Sequence, residues 1–469
     1  MENQDKYKTL VDNTFLMSVG TLGSKVLSFL MVRFYTGVLS PSDYGTADLI
    51  VQIANLLIPV VSMGIADSVF RFTAGKRSGR NSVFSIGFFV VTAGSAVFVL
   101  ISPVLENVQS VSGYIQVTAA YVIASCYHSL CAQFVKAKGK TALFAGQSVL
   151  NTVLMIGLNI VFLTALDLGI GGYILSTVIA DAVCSLFLFI KEKMWRELTL
   201  RPEKVYFGKM MRYSLPLVPT TVFWWVTNVS DRYMVTGFLG SEANGIYAVA
   251  CKIPLMLTIV SGIFLEAWKY SAVSEAGGGR ISHVMFYTKI WGAFQAAVFT
   301  MGSIVIAFSR QEINVLSDDA YASAWRYVPV LTLAMVFAAF VSFTGSIYMV
   351  EKKSVLSFLT SMAGAVLNIA LNWLLIPRIG VQGAAVATLA SYMLSFALRA
   401  RSTRKLLPFR LYKGRLIVNT AVLCVQIVFI AAQLPGWYVV QAVCPAALLI
   451  FNRTPIKASF GKMKRIKGR

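Results

Sequence analysis

The sequence predicts an all-α membrane protein: about fourteen transmembrane helices, two six-helix lobes related by a pseudo-twofold axis, and two additional C-terminal helices. Three observations predict it. Hydrophobic residues make up 57% of the 469-residue chain and gather into stretches long enough to cross a bilayer, which takes about 20 residues. Lys and Arg concentrate in every second gap between those stretches. The chain also resembles itself at an offset near 200 residues.

The spans are expected near 11–36, 46–70, 82–102, 113–135, 143–166, 170–190, 213–237, 245–268, 285–308, 326–350, 355–376, 382–398, 416–433 and 436–452. The first is longer than a signal-peptide core and is expected to be retained. Alternate gaps carry Arg71 to Arg80, Lys136 to Lys140, Lys191 to Arg212, Lys352 and Lys353, Arg399 to Arg415, and a basic tail from Arg453; the opposite gaps hold only Arg310, Arg326 and Arg378. The positive-inside rule then places both termini in the cytoplasm. The largest external loop is Ser309 to Trp325, and no gap is long enough for a folded catalytic domain, so the chain is not expected to be an enzyme.

In the repeat, Leu39–Ile53 meets Leu239–Ile253, with Gly45 on Gly245. Later, Asn159 onward meets Asn372 onward, with Gly169 and Gly172 facing Gly380 and Gly383. Six spans is an even number, so the halves enter the membrane the same way round and enclose a central cavity. The expected organisation is an N-terminal lobe over 1–190, a basic cytoplasmic linker over 191–212, a second lobe over 213–402, and two further helices with a basic tail over 403–469.

A net charge of +22 suggests nucleic acid in a soluble chain, but here the excess sits in short loops at helix ends, where anionic lipid is the natural partner. Six cysteines and two histidines without ligand spacing indicate neither disulfides nor a metal, and no cofactor is expected. The chain has no GxxxxGK loop to hold ATP, so uphill movement needs an ion gradient or an external reaction.

Four cations fall inside the expected spans: Lys25 and Arg33 on the first, Arg232 on the seventh and Lys252 on the eighth. Each costs about 3 kcal/mol at mid-bilayer unless it faces protein or water, so together they predict a cationic, anion-binding lumen. Arg suits a diphosphate through its planar fork. Asp48, Asp181, Asp231 and Glu266 lie within spans as candidate ion-coupling or charge-pairing groups, and Asp67 and Arg71 are spaced to pair as i, i+4 neighbours. Trp224, Trp225 and Tyr233 flank Arg232 and are candidates for sugar contact. Pro59, Pro216, Pro219, Pro254 and Pro329 are candidate hinges.

GSK at Gly23 to Lys25, RFYTGVLSPSDYG from Arg33 to Gly45, RF at Arg71 and Phe72, and DRYMVTGFLGSEANGIYAVACKI from Asp231 to Ile253 carry a family resemblance. The chain resembles the polysaccharide-transporter branch, the Wzx-type lipid-linked oligosaccharide flippases, of the multidrug/oligosaccharidyl-lipid/polysaccharide exporter superfamily. The resemblance implies a MATE-like fold with a cationic cavity, and alternating access that turns an undecaprenyl-diphosphate-linked oligosaccharide across the membrane for cell-surface polysaccharide biosynthesis. Implied partners are membrane lipids, an H⁺ or Na⁺ gradient and polysaccharide polymerase machinery. A lipid II or teichuronic-type flippase differs only in cargo. A cation-coupled drug exporter of the same superfamily would need an acidic lumen, and a membrane glycan polymerase a larger external loop.

Overall fold

A computed structural model describes residues 23, 26–74, 79–103, 112–274, 280–351 and 353–453. Lys25 and the basic tail beyond Arg453 lie outside the described residues, as do the side chains of Trp224 and Glu266. The described chain is helical: α1 (Val26–Val38), α2 (Pro41–Val61), α3 (Ile65–Thr73), α4 (Arg80–Ile101), α5 (Ile115–Ala137), α6 (Thr141–Ile160), α7 (Gly169–Lys191), α8 (Lys204–Ser214), α9 (Leu217–Leu239), α10 (Ser241–Ser274), α11 (Arg280–Leu316), α12 (Val328–Val350), α13 (Ser354–Ile379), α14 (Val381–Leu406), α15 (Lys413–Ala431) and α16 (Trp437–Phe451). Among the described residues, eleven spans are long and apolar enough to cross a membrane. With α1, α9 and α16, which are shorter or more polar, they match the fourteen expected segments in order.

Packing divides the chain into two compact units, Met1–Ser230 and Asp231–Arg469. Within the first, α5 packs on α2, α3, α4 and α7, and α6 packs on α7. Within the second, α12 packs on α10, α11 and α14, and α13 packs on α14, so one partner scheme is used twice. The duplicated glycines do the same work in each copy. Gly169 (φ +53) and Gly380 (φ +64) take the left-handed conformation at the starts of α7 and α14, where a β-carbon is strained. Three residues on, Gly172 lies against the Leu168 side chain and Gly383 against the Leu375 backbone, both closer than a β-carbon allows.

Several boundaries differ from expectation. The second expected span is broken: α2, capped by Ser40 with Pro41 in its first turn, ends at Val61, and the chain turns through Met63 (φ +50) and Gly64 (φ +61) into α3. Pro59 withholds a backbone donor just before the break. Pro329 sits in the first turn of α12, where proline does not kink a helix. Helix α11 runs on to Leu316, so Arg310 belongs to it rather than to a loop; its guanidinium lies 4.2 Å from the Trp325 ring centroid and 5.1 Å from that of Trp437. Arg71 lies over the Tyr213 ring at 4.8 Å, and among the described residues no ion pair joins it to Asp67.

The basic connector is ordered on the first unit. Ser68 Oγ donates to the Met210 carbonyl (2.8 Å), Ser85 Oγ donates to the Glu197 carbonyl and accepts from the Thr199 amide, and the Glu203 amide donates to Ser82 Oγ. The second unit centres on α12, whose Phe337, Phe340 and Phe343 pack with Trp268, Trp291, Phe294 and Phe396.

Candidate functional site: polar clusters inside the two helical units

In the first unit, α5 and α6 bring four polar side chains around one buried carboxylate on α7. Asp181 on α7 accepts from Ser125 Oγ (2.5 Å) and Asn151 Nδ2 (2.8 Å), and its Oδ1 lies 3.0 Å from His128 Nδ1. The other ring nitrogen, His128 Nε2, is 2.7 Å from Gln147 Oε1. Both imidazole nitrogens thus face oxygen acceptors, an arrangement that a doubly protonated ring satisfies at once. The spacing follows from the helical period: Ser125 and His128 are three apart on α5, and Gln147 and Asn151 four apart on α6, so each pair shares a face.

The carboxylate does not stand alone. Tyr121 interacts electrostatically with Asp181, and Tyr173 with Tyr35, Tyr44, Asp48 and Tyr121. The Tyr35 and Tyr173 rings meet edge-on with centroids 4.9 Å apart. Tyr35, Asp48 and Tyr121 are buried in the same unit as Asp181.

In the second unit, Asp231 is buried on α9 and accepts from the hydroxyl of the fully buried Tyr247 on α10 (2.6 Å), while its Oδ1 accepts the Arg232 amide (2.9 Å). Tyr392 on α14 also interacts with Asp231 electrostatically, as Cys251 and Arg232 do with Tyr247. Deeper along α13, Asn372 donates to Asn368 (2.9 Å) and Asn368 to Thr388. Toward the basic end, Arg399 on α14 is only 6% exposed, and neutral groups hold it. Its guanidinium donates to Thr360 Oγ1 (3.1 Å), the Val341 carbonyl (2.8 Å), Ser361 Oγ (2.8 Å), and the hydroxyl and carbonyl of Ser357. Gly345 makes room for it, because a β-carbon there would lie 2.7 Å from Nη1.

Of the expected site residues, Arg33 is exposed on α1 of the first unit; Arg232 and Lys252 are half-buried on α9 and α10 of the second. Asp48, Asp181 and Asp231 are buried. Trp225 donates its indole N–H to the Gln52 carbonyl (2.7 Å), which ties α9 to α2; Tyr233 is half-buried. His128 and Arg399 went unnoticed in the sequence. From the sequence the former reads only as a possible metal ligand, and the latter reads as part of the loop run to Arg415, where six more cations follow it.

Residues 10–268, more than half of the chain, match the family described as polysaccharide biosynthesis protein. The chain belongs to that family. Beyond the family match, the chain is 22% identical over 408 residues to an uncharacterized membrane protein of Methanocaldococcus jannaschii, covering 81% of this chain and 94% of the relative. Among solved structures it is similar to the lipid II flippase MurJ in an inward closed conformation, with a TM-score of 0.72, 13% identity, and coverage of 95% of this chain and 99% of the other. An inward-facing multidrug resistance MATE family transporter of the MOP superfamily follows with a TM-score of 0.68, 13% identity, and coverage of 81% and 95%. The fold of this family member is therefore MurJ- and MATE-like, in a multi-pass membrane protein.

Proposed function

We propose that the protein is a flippase that moves a polyprenyl-diphosphate-linked oligosaccharide across the bacterial cytoplasmic membrane by alternating access. The reading rests on membership in the polysaccharide biosynthesis family combined with a transporter fold, and one observation within the chain carries it. The first helix of each repeat keeps an intramembrane arginine, Arg33 on α1 and Arg232 on α9, and Lys252 adds a third cation on α10. With Lys25, they supply the anion-binding charge for the diphosphate, while Trp224, Trp225 and Tyr233 offer ring faces to the sugars. Both termini face the cytoplasm, and the 1–190 and 213–402 halves act as the two moving lobes, with 403–469 appended.

Coupling to an H⁺ or Na⁺ gradient falls to the intramembrane acids Asp48, Asp181, Asp231 and Glu266. The His128–Asp181 pair supports H⁺ at one of them, because a proton shared there is held by hydrogen bonds on both sides of the ring. The similarity to a lipid II flippase over nearly the whole chain favours one second reading, in which lipid II itself is the cargo.

The test is transport in proteoliposomes with defined lipid-linked sugars, lipid II among them, with and without imposed ion gradients. Movement of the oligosaccharide lipid is expected, with Arg33→Ala and Arg232→Ala inactive though inserted, and Arg232→Lys partly active because the bidentate fork is lost. Normal flipping by the Arg33→Ala/Arg232→Ala double variant would overturn the role of the cations.

A further inference from the structure

In the second unit, the segment between α14 and α15 borders an open groove of about 750 Å³. Arg404, Arg410, Lys413 and Arg415 line it together with Tyr412 and Phe451, and no acidic residue does. The guanidinium of Arg415 lies 5.2 Å from the centre of the Tyr412 ring and that of Arg410 5.7 Å, so one ring sets the positions of two cations. Among the described residues none of these four cations is in an ion pair. The basic end of the first unit is different: Lys138 lies 3.2 Å from Glu197 and 3.5 Å from Glu192, and Lys140 2.8 Å from Glu192. The fold neutralises one set of helix-end cations and leaves the other set open.

The groove is built rather than draped. The Arg410 amide donates to Thr288 Oγ1 (3.0 Å) and the Trp291 indole donates to the Leu411 carbonyl (3.0 Å), which fastens the connecting strap to α11. Phe409 and Leu407 are buried in the core of the unit, and Gly292 leaves room for the Tyr412 ring, which a β-carbon would meet at 3.1 Å. Tyr412 ends the strap as the N-cap residue of α15, whose first turn has no side-chain cap. Beyond the groove the surface turns apolar: Ile417 on α15 is 67% exposed and Ile450 on α16 is 66% exposed.

We propose that this groove binds the headgroup of an anionic phospholipid, its phosphate held by the four cations and its acyl chains lying along the exposed faces of α15 and α16. A basic pocket at the end of membrane helices is the expected form of such a site. A soluble phosphate would use the cations but not the apolar flank, and the flank is what selects a lipid. The inference rests on α15 and α16 crossing the membrane, and not on the identity of any cargo.

The test uses the full chain, purified and delipidated in detergent, titrated with phosphatidylglycerol, with phosphatidylcholine and with inorganic pyrophosphate, with binding read by native mass spectrometry and by thermal shift. Phosphatidylglycerol is expected to remain bound and to raise the melting temperature; phosphatidylcholine is not. The Arg404→Gln/Arg410→Gln/Lys413→Gln/Arg415→Gln variant should bind phosphatidylglycerol several hundredfold more weakly, since each basic residue beside an anionic headgroup contributes a factor of about five. Two double variants, Arg410→Gln/Arg415→Gln and Arg404→Gln/Lys413→Gln, should each show a smaller loss, and they carry the test if the fourfold variant does not fold. As a control, Lys204→Gln/Lys209→Gln/Arg212→Gln removes charge from the exposed face of α8 and should leave binding unchanged. Equal binding by the wild type and the groove variants would overturn the proposal, as would an equal loss in the α8 control. Displacement of the lipid by stoichiometric pyrophosphate would also overturn it, showing a soluble-anion site instead. Flipping assays are not involved, so failure here is distinct from failure of the transport reading.

Discussion

Arg399 shows how a buried cation persists without a carboxylate. Its donors reach α12 through Val341 and α13 through Ser357, Thr360 and Ser361, so one side chain on α14 pins three helices. Arg399→Leu is expected to lower stability by about 2–4 kcal/mol by leaving buried acceptors unmatched, read as a lower unfolding temperature in detergent. Arg399→Lys should recover part of it. Gly345→Ala should cost about 1–3 kcal/mol because its β-carbon displaces the guanidinium. That cost should shrink in the Arg399→Leu background, since the clash is then gone. The same reasoning sets an expectation for Asp181. Asp181→Asn removes the charge but not the shape, so the protein should still insert, whereas transport driven by an imposed pH gradient should lose that drive. A sequence reading finds Asp181, because an acid inside an apolar span is anomalous wherever its partners are. It misses His128 and Arg399, because their roles depend on hydrogen-bond partners 19 to 58 residues away in chain, on other helices.

At the scale of elements, the apolar period locates the helical segments, because among the described residues eleven are long and apolar enough to cross a bilayer and a segment's own residues decide whether it can. The break between α2 and α3 is not legible in that way. It depends on α4, where Gly94 lets the helix backbone approach the Val61 carbonyl so closely that a β-carbon has no room. Gly94→Ala is therefore expected to cost about 1–3 kcal/mol or to shift the turn, and Gly64→Ala about 1 kcal/mol from the left-handed backbone alone. Both are measurable by thermal unfolding. By contrast, Gly146→Ala on α6, where a β-carbon meets nothing within 4 Å, should be neutral or slightly stabilising and serves as the comparison. The repeat glycines were readable in the sequence because both copies of the turn need a left-handed residue at the same place, and only glycine takes it without strain.

For the whole molecule, sidedness follows from the same cations that mark the helix ends. The basic segments at Lys136–Lys140, Lys191–Arg212 and Arg399–Arg415 lie two or more spans apart, and each follows an even-numbered span in the fourteen-segment order. On the proposed fourteen-span order they are expected to share one face, and the positive-inside rule predicts that this face is cytoplasmic. Helix α8 strengthens the point: it carries Lys204, Lys209 and Arg212 and is bound to α3 through Ser68 and Met210, so the face of the membrane that receives α8 is also the one where α3 ends at Thr73. Reporter fusions after Lys138, Lys204 and Arg404 should then report the cytoplasm, and fusions after Ser42, Glu242 and Asp318 the outside. Cysteine accessibility in the full-length chain gives an independent reading, with Lys204→Cys labelled only from the inside and Glu242→Cys from the outside by a membrane-impermeant maleimide. A single inverted position would imply an odd number of spans between two basic segments. The fourteen-span order would then fail together with the parallel repeat, because a lobe of odd span number enters the membrane upside down relative to its partner.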